Sequence, residues 1–283
     1  MRESLPFRIV RATVLTVLAG YVCVPVYIAV TSAFKPLGEI EGSSFQWWPS
    51  HLTVEAFIHV WPDLSLGLGF RNSLIVMGAT TLIATPVALA AAFGISRYLF
   101  PGRKPLLLVM MSTQVFPGLL FLIPLYLIYF KIQTATGIHL VGSYEGLIIT
   151  YLSFALPLST WILVGIMRRF PRDLEEAGMI DGLSEIWAFV RIVLPSMTGA
   201  IVAVAMFACI TAWSELLFAS VLTNGSTETL PIALSSVVAA PSQVVRWNEL
   251  MAGAVYASIP IVSVFYILQR QFVAGLTAGA TKG

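Results

Sequence analysis

Hydrophobic residues in this chain come in long blocks, rather than in the alternation of a half-buried strand or the three-and-four spacing of a surface helix. Six blocks contain no Asp, Glu, Lys or Arg: Ala12–Phe34, Asn72–Ser96, Pro105–Phe130, Gly146–Met167, Ile192–Ser214 and Leu250–Gln269. A helix rises about 1.5 Å per residue, so about 20 residues cross a hydrocarbon layer roughly 30 Å thick. One charge at the centre of such a helix costs about 2.5–3.5 kcal/mol, so uninterrupted runs of this length are what a membrane selects. The pattern predicts an all-α, polytopic membrane protein with six transmembrane helices. Composition agrees, with 58% of the 283 residues hydrophobic and 11% charged, against about 25% charged in a soluble domain.

Charge adds orientation. If both termini are cytoplasmic, the inner segments hold Arg2, Arg8 and Arg11, then Arg97, Arg103 and Lys104, then Arg168, Arg169, Arg172 and Arg191, then Arg270 and Lys282. That is twelve of the sixteen basic residues; Lys35, Arg71, Lys131 and Arg246 fall outside. The positive-inside rule selects this topology over its inverse. The first run is longer than the apolar region of a cleaved export signal, and Pro25 and Tyr27 lie where small residues would be wanted, so it is expected to be a retained helix.

The connections differ in character. The first outer loop, about Lys35 to Arg71, carries FQWWP at 45–49 and a second Trp-Pro pair at 61–62, which suits the membrane–water interface. The third, about 216–248, contains an uncharged stretch, Thr229–Val245, that is too short and too Pro-interrupted for a seventh span and reads as a loop holding a short helix. Prolines at 25, 86, 117, 124, 157 and 260 predict kinks within the spans. Small residues over 78–94 permit close helix packing.

Candidate chemistry is sparse. Cys23 and Cys209 lie in apolar runs without partners at ligand spacing, and His51, His59 and His139 are isolated, so neither a metal nor a redox centre is expected. The phosphate-cradling GxxxxGK[ST] is absent, as are HExxH and GxSxG. No ionisable residue falls mid-span, the nearest being Glu215 at the outer end of the fifth run, which counts against a proton-coupled carrier. The chain is expected to be no enzyme and to bind no cofactor. Active transport would then need another subunit to supply the work.

One polar stretch interrupts this picture: EEAGMIDGLSEIWAFVRIVLP, Glu175–Pro195. Phe170-Pro171 opens a helix whose first turn carries Asp173, Glu175 and Glu176, favourable at a helix N-terminus. Asp181-Gly182 supplies a left-handed stop. Ser184 is placed to cap a second short helix, Glu185–Arg191. The result is a cytoplasmic, Gly-elbowed hairpin, read from the residues either as an amphipathic element resting on the bilayer or as a docking knob for another protein.

Its pattern breaks the tie. Glu176-Ala177-Gly178, three residues, Gly182, nine residues, then Ile192-Val193-Leu194-Pro195 resembles the EAA loop of ATP-binding-cassette importer permeases, E-A-A-x3-G-x9-I-x-L-P, with Gly178 in place of the second Ala. PVYIAVTSAFKP at 25–36, FRNSL at 70–74 and the ending QRQFVAGLTAGATKG at 269–283 are similar to the smaller permease subunit of maltose-type carbohydrate importers. Trp213-Ser214-Glu215 stands where related subunits often read W-N-E.

The resemblance implies a type I importer permease fold over residues 1–283 as one transmembrane domain, with a cytoplasmic coupling hairpin at 171–195 and a cytoplasmic tail at 270–283. It implies coupling to an ATPase through Glu176, Ala177, Gly178, Asp181, Gly182, Ile192, Leu194 and Pro195, and a tail contact through Gly275, Leu276, Gly279 and Lys282. The implied partners are a second permease subunit forming a heterodimer, an ATPase dimer that uses ATP and Mg, an extracytoplasmic sugar-binding protein and the lipid bilayer, with no nucleic acid. A di- or oligosaccharide is the implied solute, with glycerol-phosphate esters or amino sugars as alternatives.

Overall fold

The computed structural model describes residues 5–239 and 245–278, the side chains of 239 and 272–278 excepted. The described backbone is helical: α1 Leu5–Ala33, α2 Leu37–Ile40, α3 Glu55–Asp63, α4 Leu66–Arg97, α5 Arg103–Val115, α6 Leu119–Thr136, α7 Tyr144–Met167, α8 Asp173–Ile180, α9 Glu185–Ala188, a π-helical turn Phe189–Val193, α10 Leu194–Ser196, α11 Thr198–Ser214, α12 Leu217–Leu222, α13 Leu230–Ala239 and α14 Trp247–Ala278. No strand occurs among the described residues. Among them α1, α4, α6, α7 and Trp247–Gln271 of α14 are long and apolar enough to cross a membrane. Glu185–Ser196 with Thr198–Ser214, bent by 79°, makes a sixth crossing if taken as one.

Two expected spans take a different form. The run Pro105–Phe130 is two helices, because Phe116 is extended (φ −76°, ψ 133°) ahead of Pro117 and Gly118. A residue before Pro is pushed out of the helical region, and Pro itself donates no hydrogen bond. The other five expected prolines lie inside helices. The fifth run is divided at Met197, so the crossing helix starts at Thr198 and residues 192–196 belong to the arm before the bend. The connection after it holds two short helices, α12 and α13, where the interrupted sequence predicts a loop with one.

Packing divides the chain into two compact units: residues up to Gly67 with Ala233–Ile259, and Leu68–Ile232 with the residues from Pro260 onward. In the first, Ala33, Ala56 and Ala252 form a small core with Phe57, Met251 and Val255. Phe57 and Trp61 meet the Tyr256 ring edge-on at 5.6 and 5.2 Å. Arg246 bridges Asp63 and Glu249, and the Asp63 carboxylate is the main cause that raises the guanidinium's pKa. In the aromatic loop, Tyr27 donates to the Trp47 carbonyl at 3.0 Å, buried Lys35 donates to that of Gln46, and Trp47 and Trp48 are exposed.

The second unit holds the larger cores. One joins Ala88, Ala92 and Ile95 of α4, Leu163, Val164 and Met167 of α7, Phe189 and Val193 of the π turn, and Met197, Ala200 and Val204. Another joins Val76, Tyr129, Leu147, Tyr151, Ala212, Phe218 and Leu222. Between them Ala84, Ala155 and Ala208 bring α4, α7 and α11 together through small side chains. The hairpin is thus rooted in the bundle by Phe189 and Val193.

Candidate functional site

The hairpin is built from α8, a tight elbow and the α9–α10 arm. Leu183 N–H donates to the Gly178 carbonyl and Gly182 N–H to that of Met179, each at 3.0 Å. These are the two bonds of a Schellman stop, and they require the left-handed backbone that Gly182 adopts at φ +93°. Ser184 accepts from Trp187 N–H at 3.4 Å and caps α9.

The expected continuous helix over Glu185–Arg191 is instead α9 followed by the π turn. Leu194 N–H reaches back to Phe189 O. Pro195 has no N–H for the Arg191 carbonyl, which loosens the ordinary ladder at this point.

Of the predicted coupling residues, Glu176 and Ala177 lie exposed on α8, and Asp181 and Gly182 are exposed at the elbow. Gly178 is buried. A Cβ there would lie 2.5 Å from Ile192 Cδ1, 3.4 Å from Ala188 Cβ and 3.5 Å from Leu183 Cδ1. Gly178 and Ile192 are therefore brought together across the hairpin. Leu194 packs on the α4–α7 core, while Pro195 is exposed. Gly275 and Leu276 lie within α14, whereas Gly279 and Lys282 fall outside the described residues.

The hairpin is tied to the end of α4 by residues that one-dimensional reasoning missed. Arg97 Nε donates to Glu175 Oε1 at 2.8 Å, and both side chains are only 5% exposed. Arg172 donates to the Ser96 and Arg97 carbonyls, placing a cation at the negative end of α4. Tyr98 donates to Glu185 at 3.0 Å, and this bond to a carboxylate is the main cause that raises the phenol's pKa. Arg97, Arg172, Glu175, Glu176, Met179 and Glu185 surround a polar cavity of about 70 Å³. The only linear signal was that Arg97 ends a charge-free run.

The hairpin also exposes apolar side chains. Leu174, Met179, Ile180, Ile186 and Trp187 are exposed, Ile180 at 86%. The Arg191 guanidinium sits 5.3 Å from the Trp187 ring centre. The hairpin is held to α4 by a buried ion pair while apolar side chains stay exposed among its charged ones.

At the far end of the same unit, Glu215 is a capping residue. Its carboxylate accepts from Phe218 N–H at 2.9 Å, Ala219 N–H at 3.0 Å and the Tyr151 hydroxyl at 2.9 Å. The FRNSL stretch serves the same end. Asn72, fully buried, donates to the Ser226 and Glu228 carbonyls and accepts from Tyr144, while Ser73 accepts from Leu230 N–H.

Residues 84–277 match the family profile described as "Binding-protein-dependent transport system inner membrane component". The diacetylchitobiose uptake system permease of Streptomyces coelicolor is 33% identical over 290 aligned residues that cover 100% of both chains. The trehalose transport system permease of Mycobacterium tuberculosis is 31% identical over 95% of each. A chain from a bacterial transporter involved in import of the acidic polysaccharide alginate superposes with a TM-score of 0.79, covering 96% of this chain and 99% of that one. At 16% identity, that last likeness is one of fold.

Proposed function

We propose, from the fact that this chain belongs to the family of binding-protein-dependent transport system inner membrane components, that it is a permease subunit of an ATP-driven importer for a di- or oligosaccharide. It forms half of the translocation pathway beside a second permease subunit. ATP and Mg are used by an ATPase dimer, and an extracytoplasmic binding protein delivers the sugar. Carbohydrate as the solute rests on relatives named for diacetylchitobiose and trehalose transport.

The observation that carries the coupling role is the hairpin's construction, with one buried ion pair toward α4 and apolar side chains exposed on its surface. In this reading Leu174, Met179, Ile180, Ile186 and Trp187 seat in the ATPase, and Glu176, Ala177, Asp181 and Gly182 shape the contact. Closure of the ATPase dimer on ATP displaces α8. Arg97–Glu175 passes the displacement to α4, and Phe189 and Val193 pass it to the α4–α7 core. Rigid packing converts the shift into a change between two bundle arrangements rather than a local dent. The tail residues Gly275, Leu276, Gly279 and Lys282 are proposed as a second contact with the ATPase.

Gentle extraction of the chain from its native membrane, followed by mass-spectrometric identification of what accompanies it, tests this reading. The expected companions are an ATP-binding-cassette ATPase and a second multi-span permease, with the ATPase lost when the hairpin is altered. Recovery of the chain alone, under conditions that keep other membrane complexes intact, would return the hairpin to the bilayer surface.

A further inference from the structure

The break between α5 and α6 lies against the middle of α7 and against α12. Gln114, one residue before the end of α5, donates through Nε2 to the Phe154 carbonyl at 3.2 Å. A Cβ on Gly118 would meet Phe218 at 3.5 Å and Phe154 at 4.0 Å. Phe154 lies near the middle of the 24-residue α7. Irregular backbone at such a depth is tolerated only where it is buried in protein or lines a water-filled cavity. This segment is not buried within its own chain, since Ser112 to Pro117 are all exposed and Phe116 is 57% exposed.

The chemistry of the break is one-sided. The last four carbonyls of a helix have no intrahelical donor, and Pro117 has no N–H to lend. The hydroxyls nearby are spent one turn back, Ser112 on the Leu108 carbonyl at 2.8 Å and Thr113 on the Met110 carbonyl at 2.7 Å. Gln114 gives its amide N–H to Phe154 and leaves Oε1 as an acceptor. Acceptors therefore exceed donors, and a lipid tail supplies none. Phe116 and Phe121 stand beside them, edge to face at 6.2 Å and both exposed. A sugar matches this set, with hydroxyl donors around its rim and C–H faces that pack on aromatic rings.

We propose that the α5–α6 break is a solute-contact point on the translocation path, in which the end carbonyls of α5 and Gln114 accept from the hydroxyls of a neutral saccharide and Phe116 packs on its ring. This rests on the carbohydrate-importer reading above. Among the described residues the site is on the one predicted span that a Pro-Gly pair breaks, and secondary transporters form their ligand sites at discontinuous helices of this kind.

The test uses the assembled transporter in proteoliposomes and radiolabelled trehalose, maltose and diacetylchitobiose as probes. Phe116→Ala and Gln114→Ala are expected to raise the KM of the transported probe about tenfold, the loss of one or two hydrogen-bond or packing contacts, with the quantity of assembled complex unchanged. In a Cys23→Ser, Cys209→Ala background, Ser112→Cys is expected to react with a membrane-impermeant charged thiol reagent, and the transported sugar is expected to slow that reaction. An unchanged KM, an unreactive Cys at 112, or loss of the second permease subunit from either variant would overturn the proposal, the last by showing that a protein partner covers the break. If the unmutated complex takes up none of the three sugars, the carbohydrate reading fails first and takes this inference with it.

Discussion

The two ends of α4 make opposite kinds of attachment. At one end Asn72 and Ser73 hold the loop before α13 by neutral hydrogen bonds to backbone, and nearby Glu215 caps α12 while accepting from Tyr151. At the other end Arg97 holds α8 through one buried ion pair, with Arg172 bonded to the Ser96 and Arg97 carbonyls and Tyr98 to Glu185 beside it. Neutral bonds to backbone fix a loop in a single place, and their loss lets it fray. A buried ion pair is a point attachment between two helices whose net contribution to stability is small while it is intact and whose one-sided loss is costly. The first arrangement suits a fixed frame, and the second suits a strut between the hairpin and the bundle.

The strongest challenge to that contrast is at the elbow. Gly182→Val places a β-branched residue at φ +93°, where such side chains are outliers. No neighbour within 4 Å would be hit, so the bundle should insert and fold while α8 loses its stop. Sugar uptake is expected to be abolished with normal amounts of the chain in the membrane, measured by uptake beside quantitative immunoblotting. Normal uptake would remove the hairpin from the coupling path.

Next in size is the strut. Arg97→Ala or Glu175→Ala leaves one charge buried without its partner, a loss of about 3–5 kcal/mol, and should lower both the melting temperature and uptake. A strut differs from mere packing in what the doubly substituted protein does. Arg97→Met with Glu175→Leu is expected to recover thermal stability, since apolar replacement of a buried pair is often neutral or stabilising, but not the coupling of ATP hydrolysis to uptake. Recovery of both would make the pair structural only.

Sequence reached the six-run architecture, the elbow at Gly182 and the cap at Ser184, because each rests on local rules: run length, a left-handed Gly, a hydroxyl before a helix. It missed the Arg97–Glu175 pair because 78 residues separate the partners and nothing in either neighbourhood marks the other. Glu176, which fits the motif, is exposed, whereas its neighbour Glu175 is buried. A pattern of residue types does not reveal which side of a two-turn helix faces the bundle. The bend at Met197 was hidden for a related reason. Apolar residues continue to Met197, and Phe189, Val193 and Met197 pack into one core where the chain turns.

At the Asn72 end the effects should be smaller. Asn72→Ala removes three hydrogen bonds from a fully buried site and strands the Ser226 and Glu228 carbonyls, a loss of about 1–3 kcal/mol. Glu215→Gln keeps an acceptor for Phe218 N–H and weakens the charge-assisted bonds, at roughly 1 kcal/mol. Both should lower the melting temperature of the purified complex while coupled ATP hydrolysis survives. Uncoupling as severe as that of Arg97→Ala would erase the distinction between frame and strut.

The smallest expected effect is also the finest probe of the hairpin, because two terms of similar size oppose each other at Gly178. Gly178→Ala restores the small residue that the EAA pattern carries and gains about 1 kcal/mol of helix propensity. Its Cβ would lie 2.5 Å from Ile192 Cδ1, but that atom is the end of a flexible side chain, and moving it off its rotamer costs about 0.5–1.5 kcal/mol. The single substitution should therefore change stability by less than about 1 kcal/mol. Ile192→Val deletes the obstructing methyl and by itself loses about 0.5–1.5 kcal/mol. The double variant should exceed the sum of the singles by about 0.5 kcal/mol or more, the coupling expected of residues in contact. A cycle with no coupling would mean that α8 does not rest on Ile192, and the close approach across the hairpin would have to be abandoned along with the reason for a glycine at 178.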